Sequence, residues 1–221
     1  MTSNELVERS DCRKIFRSAY ENRYTWPSSF IGYKGNCQFK NDILNVKGSF
    51  VLDKYFKPIV SGILDEEIQK SISAQLLEVS IHRIYRSFEQ IHANNIFVLG
   101  ETNEIGTQVI VEGKSKGDKY RIKDNIITMV HRHIHGNVIQ IYTNEILQTP
   151  AGYLSKSYSS QYFHSNTFEP KTAKSYFVDK YQRLDDGETY LLYEREIKTD
   201  PFLHNPSLIQ TFIFSDLTML D

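Results

Sequence analysis

The sequence predicts an α+β fold, a single large curved antiparallel β-sheet, half-barrel or barrel-like, wrapped around two amphipathic helices. Three observations predict it. Two early segments carry apolar residues at helical spacing, about a dozen short runs alternate apolar and polar residues between turn formers, and 13% of the chain is aromatic. That share comes from 14 Tyr and 13 Phe with a single Trp, side chains that favour strands and bury large areas. A sheet of so many strands twists and curls, which gives two helices a concave side to fill.

The first helix is expected over 10–24, where Cys12, Ile15, Phe16, Ala19 and Tyr20 recur at helical spacing and Ser10 or Asp11 can cap the start. TWPSSFIGY ends it, since Pro27 cannot continue a helix and Gly32 marks the turn into extended chain. Three strands follow between Lys34 and Ile63, in KGNCQFK, NVKGSFVLD and YFKPIVSGI, with Asn41 and Asp42 as turn formers. Pro58 assigns the third to an edge or a bulge. The second helix starts at DEEIQK, whose acidic first turn suits the positive end of the helix dipole. Its apolar stripe is Ile68, Ile72, Leu76 and Val79, and its end is expected near Phe88 to Ile91. The rest reads as strand, turn, strand from NIFVLGE to LIQTFIFSDLTML, with turn signals such as KGD and DDG that suit a meander rather than crossover units.

No composition shift, Gly/Ser linker or repeat divides the 221 residues, so one domain over 1–221 is expected, with 1–10 a flexible N-terminal tail. Hydrophobic residues at 40% and charged residues at 24% describe an ordinary folded chain. A formal net charge of -1 offers no basic field to a polyanion, which argues against nucleic acid as a partner. The two cysteines, Cys12 and Cys37, suggest no zinc knuckle or disulfide framework, and a reducing compartment is the simpler expectation. MTSNELVERSDCRK lacks the apolar core of an export signal, and no run approaches the roughly 18 apolar residues of a membrane span. A cytoplasmic protein is expected.

Three groupings could carry chemistry. In HRHIH, His131, His133 and His135 would share one strand face, neighbours being about 6 to 7 Å apart at Cα, a distance two imidazoles can bridge to one zinc. The outer pair is about 13 Å apart, so further ligands would have to come from His92, His164, His204, Glu112 or Glu145. The competing reading is a face that begins apolar at Ile127 and Met129 and ends in water. Arg83 and Arg86, one helical turn apart, could clamp an anionic head group, or instead pair with Glu78 or Glu89. In YENRYTWPSSFIGY, the rings of Tyr24, Trp26 and Tyr33 could stack on a flat ligand, or serve as core with Tyr20 and Phe30. There is no G-x-S-x-G elbow, P-loop, G-x-G-x-x-G or H-E-x-x-H, which argues against an enzyme.

YENRYTWPSSFIGY, LLEVSIHRIYRSFEQ and TPAGYLSKSY together resemble a protein family found mainly in cyanobacteria, domain of unknown function 3386, over about Asp11 to Leu220. The resemblance implies one antiparallel-sheet domain and a photosynthetic host, and carries no catalytic residues over. More distantly, the order helix, three strands, long helix ending in Arg, then meander is similar to the half-barrel carriers of bacterial lipoproteins, which hold acyl chains against a concave sheet.

The function expected is a non-catalytic binding or carrier module for an apolar or amphipathic small molecule, a lipid or pigment, in the concave face of the sheet. Arg83, Arg86, Tyr24, Trp26 and Tyr33 are its candidate ligand contacts. The alternative is a scaffold or assembly protein acting through its sheet surface on a protein partner. A weaker alternative is a zinc enzyme using His131 and His133; otherwise no cofactor is expected.

Overall fold

The computed structural model describes residues 10–53 and 55–220. The tail expected over 1–10 lies outside the described residues up to residue 9, and Ser10 opens the first helix. Elements follow as α1 (Ser10–Glu21), β1 (Tyr33–Lys40), β2 (Asn45–Leu52), β3 (Pro58–Ser61), α2 (Glu66–Arg83), α3 (Phe88–His92), β4 (Asn95–Asn103), β5 (Gly106–Gly113) and β6 (Lys119–Lys123). After them come β7 (Ile126–Ile134), β8 (Asn137–Thr149), β9 (Gly152–His164), β10 (Ser175–Arg183), β11 (Tyr190–Thr199) and β12 (Leu208–Met219).

The fold is α+β, and the twelve strands of the described residues form an antiparallel sheet with β3 and β4 at the ends of its strand order. Pro58 sits in β3, the strand at one end, where a missing N–H breaks no ladder on the outer side. The chain divides into two compact units: unit 1 is Met1–Tyr24 with Arg86–Ser175, and unit 2 is Thr25–Tyr85 with Tyr176–Asp221.

Unit 1 carries α1, α3 and the meander β4 to β9. Cys12, Phe16 and Ala19 of α1 are fully buried against Phe97, Val109, Val111, Tyr120, Ile122 and Ile127 of β4–β7, with Phe88 of α3. Two of its hairpins have two-residue turns with both residues at positive φ, Asp124 (51°) with Asn125 (62°) and His135 (48°) with Gly136 (76°). Positive φ at both positions is the signature of the primed turn, whose twist matches that of the flanking strands. Gly152 opens β9 at φ 118°, where a Cβ would run into the Asn22 carbonyl. That close approach lets Tyr153 N donate to Asn22 O and Tyr24 N donate to Tyr153 O, each at 2.9 Å.

Unit 2 carries α2 and the strand order β3-β2-β1-β12-β11-β10. Asp65 caps α2, its Oδ1 accepting from Glu67 N and Ile68 N, and Ile68, Ile72, Leu76 and Val79 are buried as the stripe predicts. The helix stops earlier than the periodicity implies. Ile84 turns extended (φ -68°, ψ 126°), and Ser87 with Gln90 forms a capping box that starts α3 as a separate helix. Two predicted helices are thus three among the described residues.

Candidate functional site

The anion clamp expected of Arg83 and Arg86 rests on their helical spacing. Arg83 is the last residue of α2 and Arg86 lies past its end, so the helical-turn spacing that the clamp requires is absent. Arg83 Nη2 donates to the Tyr181 hydroxyl at 3.3 Å. Of the glutamates named beside these arginines, Glu78 lies 3.2 Å from Arg195, and Glu89 lies 3.0 Å from Arg13 and 3.4 Å from Arg17.

The aromatic stretch divides between the units. Tyr24 is fully buried in unit 1. In unit 2, Trp26 stacks on Phe30 at 4.3 Å, meets Tyr33 edge-on at 5.9 Å and donates from Nε1 to the Tyr190 carbonyl at 3.1 Å. These rings are core. The Tyr33 hydroxyl is buried with no hydrogen-bond partner among the described residues, and burial pushes its pKa up.

HRHIH runs along β7 and into the turn beyond it. The face descends from buried Met129 through half-buried His131 to exposed His133, while a bulge at Thr128 turns Ile127 to the opposite side, into the core under α1. His135 is not on that face at all, since β7 ends at Ile134 and His135 takes the left-handed turn position. The His131 and His133 rings lie 5.6 Å apart. Asp118, almost fully buried, accepts from His133 N at 2.9 Å and lies 3.3 Å from its Nδ1. Among the described residues, no group of three or more His, Cys, Asp or Glu converges as a metal cage.

What the sheet does assemble beside His131 is a polar pocket. Cross-strand pairing lines up three rows on one face of β7, β8 and β9: His131–Gln140–Gln161, Met129–Tyr142–Ser159 and His133–Val138–Phe163. On this face opens a cavity of about 280 Å³ lined by Gln140, Tyr142, Ser159, Ser160, Gln161, Phe163 and Lys174. Its walls are held from behind. Gln140 Nε2 sits 3.2 Å from His131 Nδ1, and Gln161 Nε2 donates to the Thr172 carbonyl at 3.1 Å. An amide nitrogen only donates, so His131 accepts on Nδ1 and a neutral ring carries its proton on Nε2. Burial first, then the charges of Lys119 and His133, hold the His131 pKa below the usual histidine value.

The rim is aromatic. Phe168 stacks on Phe163 at 4.6 Å with 6° between the planes, and on His131 at 5.8 Å with 23°. To do so it adopts φ 58°, a left-handed conformation that a bulky side chain seldom takes. The segment carrying it is tied to β9, with Lys171 N donating to Tyr162 O at 2.8 Å and Tyr162 N to Thr172 Oγ1 at 3.2 Å. Sequence reasoning singled out His131, which stands beside the pocket, and named none of the residues that line it. Alternation in VIQIY and SSQYF places each set on one face, but only strand register brings the two sets together.

No helix among the described residues is long and apolar enough to cross a membrane. No curated protein matches the chain in sequence. Among solved structures, a DUF1329 family protein from Desulfovibrio piger is similar at 8% identity, over 95% of this chain and 90% of that one, with a TM-score of 0.28. A LolA superfamily protein from Nitrosomonas europaea is similar at 10% identity over 97% and 94%, with a TM-score of 0.21. MucB in complex with MucA(peri) is similar at 6% identity over 95% and 93%, also at 0.21. Likenesses this loose carry no argument about fold or function. The sequence match is of another kind: a family model described as "Protein of unknown function (DUF3386)" covers residues 7–220, and the chain belongs to that family.

Proposed function

We propose that this protein is a non-catalytic binding or carrier module for an amphipathic small molecule, seated in the pocket beside His131. The observation that carries the reading is the pocket's lining, the rings Phe163 and Tyr142 beside the hydroxyl, amide and ammonium side chains of Ser159, Gln140, Gln161 and Lys174. Ligand sites combine apolar walls with a few placed polar groups in this way, and about 280 Å³ lies just under their common size range. That size favours a compact amphipathic molecule over a long apolar chain. A cytoplasmic setting goes with the proposal. Native mass spectrometry of the full chain purified from its own host tests it. The expected result is a bound small molecule that is lost on Phe163→Ala; an empty protein whose pocket resonances respond to no small molecule would remove the reading.

A second reading, a scaffold that binds a protein, is favoured by the outer side of α2. Leu77 and Ile81 are 43% and 47% exposed there, and Tyr85 just beyond is 64% exposed. Leu77→Lys with Ile81→Lys separates the readings: it should abolish partner capture and leave ligand mass unchanged. A zinc ion on His131 and His133 is the weakest proposal, and metal analysis of the wild type against a His131→Ala, His133→Ala double variant decides it.

A further inference from the structure

Resting on the pocket reading above, we infer that the ligand is a small aromatic carboxylate that also carries a hydroxyl or amine donor. Charge comes first. Of the seven lining residues Lys174 is the one with a formal charge, it is half-buried, and no carboxylate lines the cavity. A partly desolvated ammonium over a cavity without acidic groups selects an anion and disfavours a cation.

The amides add a second requirement. Gln140 and Gln161 each direct their nitrogen away, to His131 Nδ1 and to the Thr172 carbonyl. Each spends one of its two N–H donors there and keeps a carbonyl oxygen, which only accepts, for a donor on the ligand. A bare carboxylate would meet those two oxygens with acceptors of its own. A carboxylate with an O–H or N–H elsewhere on its body satisfies them, while the Lys174 ammonium and the Ser159 and Tyr142 hydroxyls donate to the anionic end. The third requirement is shape. Phe163 is backed by Phe168 with planes 6° apart, a flat stack of rings held by the left-handed Phe168, and a planar body extends such a stack.

The test is protein-observed NMR on the full chain with four probes: 4-hydroxybenzoate, benzoate, 4-hydroxybenzamide and tyramine. The expected order is 4-hydroxybenzoate tightest, with shifts at Gln140, Tyr142, Ser159, Gln161 and Phe163. The amide should bind about tenfold more weakly, the loss of one charge-assisted contact. Lys174→Gln should erase the preference of acid over amide, and Gln161→Met should narrow the preference of 4-hydroxybenzoate over benzoate, each with a well-dispersed spectrum. Equal binding of acid and amide, or tighter binding of tyramine, overturns the inference while leaving the pocket reading standing. No shift at these residues with any probe counts against the pocket itself.

Discussion

Both units seat the apolar stripe of a helix on an antiparallel sheet, and they differ in what they add to it. In unit 1, α1 is held by rings: Phe16 lies 4.5 Å from Tyr120, 5.0 Å from Phe97 and His92, and 5.7 Å from Phe88. In unit 2, α2 is held by a buried ion network. Arg195 of β11 grips Asp179 of β10 through two contacts of 2.7 Å, and reaches Gln75 and Glu78 of α2 at 2.9 and 3.2 Å. Tyr181 donates to Asp179 at 3.2 Å and receives Arg83 at 3.3 Å. Ring packing is non-directional and tolerates small shifts of the helix; a guanidinium fork fixes both distance and angle. The comparison teaches that α2 adds a few directed bonds to its buried stripe of Ile68, Ile72, Leu76 and Val79, while Leu77 and Ile81 on its other side are left exposed.

The largest effect should come from breaking the fork. Arg195→Ala leaves Asp179 buried without its counter-charge and should cost about 3–5 kcal/mol, whereas Arg195→Met with Asp179→Leu should recover most of it. Chemical denaturation measures the loss, and hydrogen exchange should place the first opening in unit 2. If the double variant is no better than the single one, the network is not what holds α2. In unit 1, Phe16→Ala should cost about 3–5 kcal/mol through the cavity it leaves, and no charge change elsewhere should rescue it.

Acid should also tell the units apart. His92 is buried among Phe16, Tyr20 and Phe88, its Nδ1 3.0 Å from Asn95 Nδ2, and burial with the nearby arginine charges lowers its pKa from 6.5 to about 4. Above pH 6.5 the folded and unfolded chains are both neutral here and the shift contributes nothing. As pH falls from 6.5 toward 4 the unfolded chain takes up a proton that the folded chain refuses, so stability drops by roughly 3 kcal/mol and then levels off. His92→Gln should flatten that part of the pH profile; an unchanged profile would show that other groups govern acid unfolding. The smallest effect is a gain: Tyr33→Phe removes a buried hydroxyl without a partner among the described residues and should raise unit 2 stability by about 1 kcal/mol.

The positions of the elements were readable from local pattern. Cys12, Phe16 and Ala19 announce α1, Asp65 announces the start of α2, and Pro58 announces the strand at the end of the sheet. Where the reading overran, a local signal had been outweighed by periodicity: Ser87 and Gln90 restart the helix inside RIYRSFEQ, and this removes Arg86 from α2 and with it the clamp. HRHIH misled in a similar way. Gly136 after it makes His135 a turn residue, so two histidines share the strand face instead of three. The stretches that mark the family are explained by packing, as Asn22 and Tyr24 of the first meet Tyr153 of TPAGYLSKSY backbone to backbone.

The sequence by itself determined which segments are helix and which are strand, because capping, turn chemistry and the periods of 3.6 and 2 act between residues only a few positions apart. It also determined the aromatic character of the interior. Tertiary structure alone decided the register that sets His131 beside Gln140 and Gln161, and the meeting of Arg195 with Asp179, Gln75 and Glu78. A shift of one residue in pairing turns every side chain to the opposite face while leaving each strand's own pattern unchanged, so the pocket exists only once the strands are aligned.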